Sequence, residues 1–200
     1  IDVGRFGFDE AKRNEVRKKH GWEDKFIIGN VGRLHFQKNQ TFMLDIFEKY
    51  HAGHPDSVLV LVGQGEDERM LKEKCDRPKI RQYVYFAGPQ RDIQAWISSF
   101  DLFVFPSKFE GLSIAALEAE GNGIPVLASA NVPAEVKMND NFVYLDIDAG
   151  AGAWCAKIKE MQGIGREDPA AVKEKFIRHG YDVRTEAVKL ERLLAGGGHD

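Results

Sequence analysis

Two carboxylates, Glu110 and Glu118, stand on either side of Gly111-Leu112-Ser113, where a tight loop runs into a helix. A helix that opens on this tripeptide presents unpaired backbone N–H groups and the positive end of its dipole, an arrangement suited to a phosphate. Carboxylates repel an anion, so beside a phosphate they need another task, such as accepting hydrogen bonds from hydroxyls. A phosphate flanked by hydroxyl-rich groups describes a sugar nucleotide. Glu118 lies in Ile114-Ala-Ala-Leu-Glu118-Ala, the least polar part of its helix, about two turns inside it, where a carboxylate needs partners. Its Cβ leans back toward the helix N-terminus, where the ligand would lie. Arg33 and Lys38 share one polar strand-to-helix connection, Gly32–Asn39. Arginine offers a planar fork to phosphate oxygens and lysine a mobile point charge. Alone, such a pair reads as solvated surface cations. Its place at a strand end, together with the second phosphate-suited loop, favours a diphosphate clamp.

The elements that must carry these residues follow from the apolar pattern. Strands are predicted at Phe26–Val31, Val58–Val62, Tyr83–Ala87, Leu102–Phe105, Val126–Ala128 and Phe142–Leu145, and Val58–Val62 is a continuous apolar run of the kind buried on both sides in a parallel sheet. Helices are predicted at Asp9–His20, Asn39–His51, Glu66–Lys74, Ile93–Ser99, Leu112 to about Gly121, Ala149–Met161, Asp168–His179 and Arg184–Leu194. Met43, Ile46, Phe47 and Tyr50 fall on one face of the second of these. Strands and helices alternate through short connections, which predicts an α/β fold with one doubly wound, Rossmann-like parallel sheet. Ligands of such sheets bind beyond the C-terminal strand ends. The loops collected there are Gly32–Lys38, Gly63–Gly65, Gly88–Arg91, Pro106–Ser113 and Ser129–Pro133.

The chain of 200 residues suits one large domain, with 43% hydrophobic and 30% charged residues and a formal net charge of −3. That balance disfavours a general nucleic-acid binder. Cys75 and Cys155 lack metal-ligand spacing and read as reduced, structural thiols of a cytoplasmic protein. No apolar run approaches the ~20 residues of a membrane span. His51 and His54 sit at a helix end with no nearby third ligand, so no metal is expected there. Gly63-Gln64-Gly65 is a weak dinucleotide signal, because position 68 is Glu. Receiver-type signalling domains share the topology but need an acidic cluster at strand ends; Arg33 has the wrong sign, and Asp101 precedes its strand.

In order and spacing, Ile1-Asp2-Val3, Val31-Gly32-Arg33, Gln37-Lys38-Asn39, Val62-Gly63-Gln64-Gly65, Phe86-Ala87-Gly88, Pro106-Ser107 and Glu110 with Glu118 resemble one family over nearly the whole chain. This is the C-terminal, donor-binding domain of retaining nucleotide-sugar glycosyltransferases with the two-domain GT-B fold (group 1, family 4 type). The resemblance implies catalytic roles for Arg33, Lys38 and Glu110. Arg33, Lys38 and the amides of Gly111, Leu112 and Ser113 would hold the donor diphosphate, Glu118 the ribose and Glu110 the transferred sugar. Gly63, Gly65, Gly88, Pro89, Gln90 and Arg91 would border the base. It implies a nucleotide-sugar substrate, UDP-sugar favoured, with no cofactor and no bound metal. No side chain is an evident nucleophile.

Ser113 departs from the proline of many members, and Ser129–Glu135 lacks the glycines often found there. The resemblance makes residues 1–195 the donor domain and 196–200 a flexible tail, with an N-terminal acceptor domain missing as a partner. A peripheral membrane association would run through that missing half, and the last helix would pack back across the domain boundary. Two other functions remain open: a non-catalytic nucleotide-sugar-binding module and a sugar-nucleotide epimerase. The intact Glu110/Glu118 pair with Arg33 and Lys38 speaks against both.

Overall fold

The computed structural model describes residues 1–76 and 80–196. In chain order the elements are α1 (Val3–Phe6), α2 (Glu10–His20), β1 (Phe26–Val31), α3 (Gln40–His51), β2 (Ser57–Val62), α4 (Glu68–Cys75), β3 (Val84–Gly88), α5 (Ile93–Ser99), β4 (Leu102–Phe105), α6 (Ile114–Asn122), β5 (Val126–Ser129), β6 (Phe142–Leu145), α7 (Gly150–Met161), α8 (Pro169–Arg178) and α9 (Val183–Gly196). The strands form one six-stranded sheet in the order β3-β2-β1-β4-β5-β6. Every pairing in it is parallel. This is a doubly wound, Rossmann-like parallel sheet, with its topological switch between β1 and β4.

Alternation along the strands builds a core on each face. Ile27 and Val31 join Val58, Val60 and Val62 under α2, α5, α6 and α8. Ile28, Leu59 and Leu61 meet Met43, Ile46, Phe47 and Tyr50 of α3, with Leu71 of α4 and Trp154 of α7. Gly29 of β1 lies flat against a ring, since a Cβ there would stand 1.9 Å from Cδ2 of Phe100. Gly29→Ala is expected to lower stability by roughly 2–3 kcal/mol through overpacking. Denaturant unfolding measures this, and an unchanged midpoint would mean that Phe100 moves aside freely.

Three boundaries differ by two residues from the sequence-based expectation. The helix after Glu110 starts at Ile114 rather than Leu112, because Ser113 is its N-cap and its hydroxyl accepts from the Ala116 N–H at 3.4 Å. Glu118 therefore opens the second turn instead of lying two turns deep. The helix expected from Glu66 starts at Glu68, leaving Glu66 in the loop after β2. Gly196 ends α9 rather than beginning a tail, and 197–200 of that expected tail lie outside the described residues.

Asp101 lies at the opposite, N-terminal edge of the sheet. There its carboxylate accepts from Arg13 Nη2 at 2.7 Å, Arg17 Nη2 at 2.5 Å and the Ile27 N–H at 2.7 Å. It is a structural anchor for α2. Cys75 and Cys155 are both buried. His51 Nδ1 lies 3.0 Å from Ser57 Oγ, and the His54 ring stacks on Tyr50. Among the described residues no cluster of His, Cys, Asp and Glu has the arrangement to hold a metal ion. Among them, too, no helix is long and apolar enough to cross a membrane.

Candidate functional site

At the switch point β1 and β4 pair only through Ile28↔Leu102 and Gly29↔Phe103, and the ladder stops short of the C-terminal ends of both strands. Buried Asn30 bridges the opening, donating through Nδ2 to the Val104 carbonyl at 2.8 Å. Gln40, at the start of α3, donates to Asn30 Oδ1 at 3.4 Å and to the Arg33 carbonyl at 3.0 Å, fixing the loop after β1. That loop and the loop after β4 are then stitched together three times. Asn39 Nδ2 donates to the Pro106 carbonyl at 3.1 Å, Gln37 Nε2 to the Phe109 carbonyl at 3.0 Å, and the Lys108 N–H to the Gln37 carbonyl at 2.8 Å. Asn39 holds a left-handed φ of 57° as the residue linking the short turn Phe36–Lys38 to α3.

These stitches place Lys38 and Glu110 in contact. Lys38 Nζ donates to both carboxylate oxygens of Glu110, at 2.7 and 2.9 Å, and stands 5.0 Å from the Phe105 ring centroid. The side chains are only 17% and 5% exposed, so this is a largely desolvated ion pair. The sequence reading set a cation on one side and a carboxylate on the other. Folding brings them together.

Arg33 lies apart from that pair, with its side chain 70% exposed. Its Nε and Nη2 donate to Glu66 at 3.0 and 3.3 Å. Glu118 is half-buried between Leu117 and Ala119, and among the described residues it receives no hydrogen bond from the chain. Burial pushes its pKa up, opposed by the positive charges of Arg5 and the amino terminus. Gly111 and Leu112 are exposed ahead of the Ser113 cap, and the unpaired first-turn amides belong to Ile114 and Ala115.

Gly63 and Gly65 allow a close approach of the chain's own loops. A Cβ on Gly63 would lie 2.0 Å from the Gly32 carbonyl oxygen, and one on Gly65 would lie 2.1 Å from that of Leu34. Gly88 ends β3 with a φ of 67° in open space, Gln90 Nε2 donates to the Ala87 carbonyl at 2.6 Å, and Pro89 and Arg91 are exposed. This loop is separated from β1 by β2.

Sequence reasoning missed Glu66, which meets Arg33 and His35 only after β1 and β2 pair, and nothing local marks it. Gln37 and Asn39 stood inside a recognised motif, yet their task of joining two loops needed the coordinates. Phe36 and Phe109 are exposed aromatics at the same edge, with ring centroids 6.0 Å apart.

Comparison with known proteins agrees with this geometry. The chain is 29% identical over 186 residues to "Putative glycosyltransferase EpsF" of Bacillus subtilis, covering 92% of the chain and 48% of that protein. It thus spans about half the length of that curated relative. Among solved structures, Anabaena Alr3699/HepE in complex with UDP and glucose superposes with a TM-score of 0.80 at 19% identity, over 98% of this chain and 55% of that one. The "C-terminal Domain of Glycosyl Transferase Group 1 Family Protein (LpcC)" from Francisella tularensis superposes with a TM-score of 0.70 at 21% identity, over 93% of this chain and 97% of that one. Residues 12–161 match the family "Glycosyl transferases group 1", and the chain belongs to that family.

Proposed function

We propose that the chain is the donor-binding half of a retaining glycosyltransferase. It would move a sugar from a nucleoside diphosphate, UDP favoured, to an acceptor hydroxyl in polysaccharide or glycolipid synthesis. The observation that carries this reading is the Lys38–Glu110 pair at the β1/β4 switch, with Arg33 at the same strand end. UDP, bound by the structurally similar HepE, supports the choice of base.

The geometry supports the following roles. As the bond to the diphosphate breaks, charge develops on the leaving oxygen, and Lys38 and Arg33 stabilise it more in the transition state than in the ground state. Lys38 turns from Glu110 to the phosphate. Glu110 thereby gains free lone pairs for the hydroxyls of the sugar. The first-turn amides of α6 face the diphosphate, and Glu118, without a hydrogen-bond partner among the described residues, accepts from the ribose. No metal enters this scheme. The acceptor site, and any peripheral membrane contact, would come from a second domain in a cytoplasmic enzyme, and the chain by itself would transfer sugar poorly.

Calorimetric titration with UDP, GDP and ADP, then with their sugar conjugates, tests the reading. Failure of every diphosphate to bind at millimolar concentration would sink it. Glu118→Gln should weaken binding of the bare diphosphate several-fold. Glu110→Gln should leave that binding no weaker, since it frees Lys38, and should lose affinity for the sugar conjugate. The reverse pattern would exchange the two carboxylates' roles.

A further inference from the structure

The loop after β2 rests directly on the loop after β1. The Gly32 N–H donates to the Val62 carbonyl at 2.9 Å, the Leu34 N–H to the Gln64 carbonyl at 3.0 Å and the Asp67 N–H to the Leu34 carbonyl at 3.1 Å. Gly65 makes this possible, because any side chain there would strike the Leu34 carbonyl. The result is that Glu66 is delivered beside Arg33 and His35.

Glu66 is held on two sides. His35 Nε2 lies 3.4 Å from its Oε1, and Arg33 donates to both of its oxygens. The Gln37 N–H donates to His35 Nδ1 at 3.4 Å, which in the neutral ring leaves the proton on Nε2, the nitrogen near Glu66. The carboxylate, 49% exposed, thus has two neighbours that orient it. Arg33 meets it with one edge of the guanidinium, through Nε and Nη2. Its Nη1 group has no acceptor among the described residues, so the other edge remains available for a second, bidentate contact.

We infer that Glu66 is a positioning residue for the donor site: it holds the exposed Arg33 by one edge so that the opposite edge is presented, already ordered, to the donor diphosphate. An exposed arginine without such a partner samples many rotamers, and ordering it would count against binding. The guanidinium lies between the carboxylate and the incoming anion, which limits their repulsion. This inference rests on the donor-site reading given above and adds to it a residue that touches no substrate.

The test is a double-mutant cycle. The parent chain, Glu66→Gln, Arg33→Ala and Arg33→Ala/Glu66→Gln are each titrated with UDP, GDP and ADP and with the matching nucleosides, after their thermal melts have been compared. Glu66→Gln is expected to weaken binding of the diphosphate about three- to fivefold, to leave the nucleoside unaffected, and to add nothing in the Arg33→Ala background. Equal or tighter diphosphate binding by Glu66→Gln, or an equal loss without Arg33, overturns the positioning role while the donor site stands. Absence of binding by the parent chain removes both. Loss of nucleoside affinity in parallel with the diphosphate would make Glu66 merely structural, and overturns the inference as well.

Discussion

Lys38→Ala is expected to lower the stability of the protein by about 3 kcal/mol and to weaken nucleoside diphosphate binding at least tenfold. The two effects have separate causes. Glu110 is 5% exposed, and its carboxylate receives two charge-assisted hydrogen bonds from Lys38 Nζ. Removing the ammonium leaves a nearly buried charge uncompensated. That costs more than the intact pair contributes, because its desolvation is no longer offset. The binding loss comes from the missing phosphate partner. Adding Glu110→Gln to Lys38→Ala removes the orphaned charge and should recover most of the stability but none of the diphosphate affinity. Denaturant unfolding and calorimetry on the three variants separate the terms. If Lys38→Ala matches the parent in both, the pair is neither structural nor part of a donor site.

Glu120→Gln is expected to abolish a fall in stability that the parent chain shows as pH rises. Glu120 is fully buried on α6, and its Oε2 accepts the backbone N–H groups of Met138 and Asn139 at 2.6 and 2.7 Å. Burial pushes its pKa up to about 8, against the favourable effect of those two hydrogen bonds and of Lys175 and Lys137. In the unfolded chain the group titrates near 4.5. Below that value both states hold the proton, and the folded state keeps its full advantage. Between about 4.5 and about 8 the unfolded chain releases the proton while the folded one retains it, so stability declines; above about 8 the loss is complete. At about 1.4 kcal/mol per tenfold change in proton affinity, the whole decline is on the order of 4–5 kcal/mol. Glutamine keeps an oxygen for the two N–H groups and carries no titrating proton. The variant should equal the parent near pH 4.5 and exceed it at pH 8. A difference that does not change with pH would show that Glu120 is charged in the folded state.

Much of the architecture is legible in the sequence because it is local. A fully buried parallel strand favours a continuous apolar run, and Leu102–Phe105 matches the observed strand at both ends. Asp9 and Asp92 announce helix starts, and their side chains accept from the Lys12 and Ala95 N–H groups as caps. The start of α6 was less clear, because Gly111-Leu112-Ser113 allows a helix to begin at either end until Ser113 turns its hydroxyl onto Ala116.

By itself, the sequence determined the alternating fold, the loops that meet at one sheet edge, and the order of Arg33, Lys38, Glu110 and Glu118 that marks the family. Tertiary structure alone decided which charges meet. Lys38 and Glu110 are 72 residues apart and Arg33 and Glu66 are 33 apart, and each pair exists because β1 lies between β2 and β4. Strand order reflects how apolar faces of whole elements pack, and no local pattern encodes it. The same holds for burial. Glu118 and Glu120 are near neighbours on one helix, yet one is left half-open without a hydrogen-bond partner among the described residues while the other is sealed against Met138 and Asn139. The 3.6-residue period of the helix puts them on different faces, and only the packed chain shows which face is closed.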